Sequence, residues 1–107
     1  MDALDTALAP RNQAHLPPTV ICELLSVPCA AEIESLILAL PRLGILDGYW
    51  ERAGHLRRRL HAEGRKAALA DTLIAQSCLD HDVALLTRDR DFSAFARLGG
   101  LTLAGRS

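Results

Sequence analysis

The chain has 107 residues, half of them hydrophobic and 23% charged, with a formal net charge of −1. This length predicts a single domain over residues 1–107 with a core large enough to fold but marginal in stability. The near-neutral balance excludes nucleic-acid binding through a global basic field, though not binding through metal ions and a few local arginines. There is also no run of about 18 apolar residues and no charged-apolar-small leader, so no membrane association is expected and the cytoplasm is the expected location.

In chain order, Asp2 to Ala9 reads as the end of a helix stopped by Pro10. Gln13 to Leu16 is a short candidate strand, broken by Pro17-Pro18. A proline suits the first turn of a helix, which predicts one over Pro18 to Ser26. The next helix, Pro28 to Leu40, places Ile33, Leu36, Ile37 and Leu40 at helical spacing, a single buried stripe. Leu43 to Leu46 is a second short strand. Asp47 is a candidate N-cap for a long helix ending near Glu63, with Gly64 as its stop. On that helix Trp50, Ala53, Leu56 and Leu60 are expected inward, and Arg52, His55, Arg58 and Arg59 outward.

A further helix is predicted from Ala68 to His81. Val83 to Thr87 is apolar throughout, the pattern of a buried parallel strand. Asp89 to Asp91 forms a loop, Phe92 to Leu98 a short helix ending at Gly99-Gly100, and Leu101 to Leu103 a last edge strand. Alternation of helices with short extended runs argues an α/β fold.

Cys22, Cys29 and Cys78 are odd in number and contain no C-x-x-C pair, so they read as reduced small hydrophobes. His15, His55, His61 and His81 lack zinc-ligand spacing, and no serine sits in a nucleophile elbow. Arg57 to Arg59 reads as a solvated helix face, with an RNA-backbone patch as the lesser alternative. Aromatic residues are too few for a platform that stacks single strands.

Three acidic positions stand out. Glu23 lies in the run Val20 to Leu25 and shares a helical face with Val20, Leu24 and Val27. It is either a snorkelling acid at a helix edge or a carboxylate waiting for positive charge. Asp71 precedes Ile74, Ala75 and Cys78 on one face. It is either a first-turn acid favoured by the helix dipole or part of a site. Thr87 to Phe92 carries Asp89 and Asp91 directly after the strongest strand, where open α/β sheets gather ligands. Together the three bring carboxylates to one rim of the sheet. Oxygen-only donors that would repel one another without a cation favour Mg²⁺ or Mn²⁺. Such ions hold a phosphodiester and make a hydroxide nucleophile.

These blocks resemble a known family. Leu16 to Leu25 resembles the PIN-family block that carries its second acid, Leu69 to Ala75 is similar to the block with the third, and Leu85 to Phe92 looks like the closing block with the fourth. Order and spacing also suit the family, over nearly the whole chain. The resemblance is to the VapC-type toxin ribonucleases. It implies a Mg²⁺- or Mn²⁺-dependent endoribonuclease that acts on RNA and is paired with a VapB-like antitoxin; a homodimer is expected as well. It implies Glu23, Asp71 and Asp89 as metal ligands, with Asp91 assisting or replacing Asp89. Thr87 would hold the loop or hydrogen-bond a neighbouring acid, and Arg88 and Arg90 would contact phosphate.

The N-terminus departs from the pattern. The family opens with a central strand ending in Asp-Thr or Asp-Ser. Asp5-Thr6 mimics the pair but lies close to Glu23, in a helical context. The expectation is therefore a PIN-like three-layer α/β/α fold with a short, mainly parallel sheet and the first, central strand missing. The sheet is expected to close up, rearrange, or exchange between subunits, with activity impaired by the missing first aspartate. The alternative is a non-catalytic PIN-like module for interaction or dimerisation.

Overall fold

A computed structural model of the chain describes residues 15–104. The expectations for Asp2 to Ala9 and for Asp5 as a ligand lie outside the described residues, as do Gln13 and Ala14 of the first candidate strand. Within them, α1 spans Pro18–Leu25, α2 Ala31–Ala39, α3 Tyr49–Ala62 and α4 Leu69–Asp80. Strand β1 is Leu85–Leu86, followed by a 3-10 turn at Arg90–Phe92, α5 at Ser93–Gly99 and β2 at Leu103–Ala104. β1 and β2 pair in parallel, with Leu85 opposite Leu103. A separate parallel bridge joins Leu16 to Arg42. The α/β class expected from the sequence is present, with helices dominant and a short parallel sheet.

Pro18 opens α1 because a missing N–H costs nothing in a first helical turn. Its apolar residues Val20, Ile21 and Leu24 are buried together with Leu16. α4 is buried over most of its length, with Ile74, Ala75 and Cys78 in the core. Leu56 and Leu60 of α3, Leu85 of β1, and Phe92, Phe95 and Leu101 complete the same cluster. Burial pushes the Cys78 thiol up to about 12, so it is protonated and packs as a small hydrophobe. Cys22 and Cys29 are exposed thiols.

Polar links tie the helices together. Tyr49 Oη donates to the Leu73 carbonyl at 2.8 Å and docks the start of α3 on α4. Arg52 grips Asp80 at both carboxylate oxygens, at 2.9 and 2.7 Å, and donates to the Asp47 carbonyl. Hydrogen bonding from Arg52 holds the Asp80 carboxyl below its ordinary value. Its contribution to stability is present near neutrality and is lost as pH falls through that lowered pKa.

Several expectations are corrected. The α2 stripe is not buried as a unit. Ile37 alone is buried on that helix, and Leu36 is 64% exposed. Leu43 to Leu46 is no strand, because pairing ends at Arg42 and Ile45 and Leu46 face solvent. Asp47 is not the N-cap of α3. Gly48 occupies that position with a left-handed backbone and no side-chain cap. Trp50 is not inward but 60% exposed, and Tyr49 takes the buried place beside it. Arg52, His55, Arg58 and Arg59 do face out. The predicted strands shrink to two residues each because helices, rather than sheet neighbours, satisfy most of the core.

Gly64 does end the α3 region. At φ +74° it turns the chain so that its N–H donates to the His61 carbonyl and the Arg65 N–H donates to the Leu60 carbonyl. A Cβ there meets no atom within 4 Å. Gly64→Ala therefore carries only the left-handed backbone cost, about 1 kcal/mol. Thermal melting is expected to shift down by roughly 4–8 °C. An unchanged melting temperature would show that the turn does not need positive φ.

Candidate active site

Three segments carry the acids. α1 presents Glu23, the first turn of α4 presents Asp71, and the turn after β1 presents Asp89 and Asp91. That turn is built locally. The Asp89 N–H donates to Thr87 Oγ1 at 3.0 Å, and Asp89 Oδ1 accepts from the Asp91 N–H at 2.9 Å. Thr87 is buried and anchors the turn at the end of the strand. Phe92, fully buried, pins its other end.

Asp71 is the electrostatic centre. It is 7% exposed, and its carboxyl is raised to about 6, first by burial and then by the charges of Asp89, Asp91 and Glu23. A helix N-terminus ordinarily favours an anion, so burial and like charge outweigh the dipole here. Burial also raises the Glu23 carboxyl. Glu23 Oε1 is buried without a hydrogen-bond partner. A buried, unpartnered carboxylate oxygen is costly unless a cation meets it.

Asp71 and Asp91 line a groove of about 520 Å³ with His61, Arg65, Lys66 and Arg90. Arg88 is exposed outside it. Glu23 and Asp89 act on Asp71 through space without lining that groove. Among the described residues, no three acids, histidines or cysteines stand close enough to hold a metal ion by themselves. Mg²⁺ seldom needs such a cage. It is commonly held by one or two carboxylates, waters and substrate phosphates. The all-oxygen donor set, the orphaned Glu23 oxygen and the repulsion at Asp71 fit a hard divalent cation. The sequence did not single out Arg65 and Lys66 as groove residues. The available signal was two consecutive cations after the Gly64 stop, just ahead of the helix that opens with Asp71.

The chain is thus an α/β protein with two acids, Asp71 and Asp91, in a groove flanked by cations, and two more, Glu23 and Asp89, acting on Asp71 through space. The PIN-domain family model matches residues 1–98. The chain belongs to the PIN-domain family, whose members are in general metal-dependent nucleases. A search of curated proteins returned no match. No helix among the described residues is long and apolar enough to cross a membrane.

Proposed function

We propose that the chain is a single-domain endoribonuclease of the VapC toxin type that hydrolyses RNA phosphodiester bonds with Mg²⁺ or Mn²⁺. The observation that carries this is Asp71, a carboxyl raised first by its burial and then by three neighbouring acids, in the wall of a cation-lined groove. Glu23, Asp71 and Asp89 would hold the metal, with Asp91 assisting. When bound, the ion supplies a hydroxide nucleophile near neutral pH and neutralises charge on the phosphoryl oxygens. Arg90 positions a phosphate in the groove, Arg88 a more distant one, and Thr87 keeps the acidic turn in place. The working location is the cytoplasm.

Partner binding draws on a different surface. Leu25, Val27, Ile33, Leu36, Leu38, Ile45 and Leu46 are all exposed around α2. Apolar surface of this kind suits protein association. It supports a homodimer and a VapB-like antitoxin as partners. The second reading, a non-catalytic interaction module, is favoured by the lack of a preassembled three-ligand set among the described residues.

Calorimetric titration of Mn²⁺ beside an RNA-cleavage assay separates the two. For the nuclease, saturable binding is expected in the parent chain, weakened by at least about tenfold in Glu23→Gln and Asp71→Asn, with cleavage that stops on chelation. A folded, dimeric chain that neither binds Mn²⁺ nor cleaves RNA would sink the nuclease assignment in favour of the interaction module.

A further inference from the structure

A second groove of about 530 Å³ lies between α3 and α4, lined by Trp50, Ala53, Arg57, Arg58, Leu69 and Leu73 among others, and His61 borders both grooves. Resting on the nuclease assignment, we propose that the two form one continuous track for a single RNA strand. The strand would run from the acidic centre past His61 and end with a base stacked on Trp50.

Charge supports this occupant. The chain is nearly neutral, yet Arg57, Arg58, Arg65, Lys66 and Arg90 line the combined track against only Asp71 and Asp91. Those two acids belong to the proposed metal centre, where a phosphodiester and its cation satisfy them and an acidic peptide does not. Arg65 and Lys66 are exposed, next to the acidic end. The Gly64 turn sets the course of the backbone there. Arg57 Nε donates to the Ala67 carbonyl at 2.7 Å, tying the loop that carries these cations to α3. The arginine run divides its work, since Arg59 Nη2 instead donates to the Leu98 carbonyl on α5.

Trp50 supplies the flat surface. Its ring packs edge-on against the buried Tyr49, with centroids 4.9 Å apart and planes at 76°. That contact orients the indole beforehand, so little side-chain entropy remains to be lost on stacking. One ring is a single stacking contact rather than a platform. It sits at one end of the track and the acids at the other, which suits a short single-stranded element.

Trp50 is the sole tryptophan, so its emission reports on this site without a label. Titrating a mixed-sequence single-stranded RNA decamer into the full chain in EDTA is expected to quench Trp50 saturably. The exposed double variant Arg65→Glu/Lys66→Glu is expected to bind at least tenfold more weakly. Its slope of log affinity against log salt should fall by about 1.4, roughly 0.7 for each phosphate that the protein no longer neutralises. Trp50→Ala, followed by anisotropy of labelled RNA, should weaken binding about five- to a hundredfold.

RNA binding that leaves Trp50 emission unchanged would overturn the track. So would an oligoglutamate decamer that quenches Trp50 as tightly as RNA does, which would make the groove a site for acidic protein. The nuclease assignment fails separately. Quenching without Mn²⁺-dependent cleavage would leave the track standing and remove the chemistry. Cleavage whose KM is unchanged in both variants would keep the chemistry and remove the track.

Discussion

In metal-free solution at neutral pH, Asp71→Asn is expected to melt about 10 °C above the parent chain, and with Mn²⁺ added it is expected to lack the cleavage proposed for the parent. The reason is the cost of ionising Asp71 in the folded state. Its carboxyl is raised from 3.8 to about 6 by burial and by Asp89, Asp91 and Glu23. Because the folded pKa lies above the unfolded one, the protonated group's contribution to stability is complete below about pH 4. It is lost as pH rises through about 6. At neutral pH the loss is on the order of 2–3 kcal/mol, at about 1.4 kcal/mol per pKa unit. Asparagine resembles the protonated acid in shape and never ionises, so it recovers that energy, and roughly 4–8 °C of melting temperature accompanies each kcal/mol. Melting curves of both proteins in EDTA from pH 4 to 8 are the check. The two should converge at the acid end and separate upward. Excess Mn²⁺ should narrow the gap by stabilising only the parent. If Asp71→Asn melts lower than the parent at neutral pH, the carboxylate is satisfied within the protein and needs no cation.

Phe92→Ala is expected to be the most damaging core substitution near the site. Phe92 is fully buried and tilts against Phe95 with ring centroids 6.0 Å apart. Truncating a buried phenylalanine to alanine costs about 3–5 kcal/mol through reduced burial and the cavity left behind. A domain of this size has about 5–15 kcal/mol in total. Melting should fall by at least about 12 °C. The position gives the substitution a second effect. Phe92 closes the 3-10 turn begun at Asp89, so its loss frees the backbone that holds Asp89 and Asp91 toward Asp71. Mn²⁺ affinity should drop although no carboxylate is removed. Phe92→Leu, closer in volume, should retain most of both properties. Melting within a degree or two of the parent for Phe92→Ala would show that the turn is held by its hydrogen bonds alone.

Local signals were legible where one residue type has few alternatives. Pro18 could only open a helix, Gly64 could take positive φ at low cost, and the apolar faces of α1 and α4 required a core. Glu23, Asp71, Asp89 and Asp91 stand out in the sequence for a similar reason. An acid beside an apolar stripe, or directly after a buried strand, needs a partner that a solvated acid does not. In the fold, burial first and then the charges of Asp89, Asp91 and Glu23 raise the Asp71 carboxyl.

Positions that depend on neighbouring elements were not legible. Tyr49 and Trp50 are adjacent and both aromatic, and helical periodicity assigned Trp50 to the core. Only the approach of α4, whose Leu73 carbonyl accepts the Tyr49 hydroxyl, decides that Tyr49 is buried and the indole is left outside. The α2 stripe has helical spacing throughout, but among the described residues no element covers Ile33 or Leu36, and of the stripe on that helix only Ile37 is buried. Arg65 and Lys66 read as ordinary loop cations until the fold sets them beside Asp71. The sequence alone marked which acids have apolar surroundings and which segments are helical, because charge, proline, glycine and apolar periodicity act over a few residues. The tertiary structure alone decided which apolar face is covered and which cations border the acids, because those depend on contacts between segments far apart in the chain.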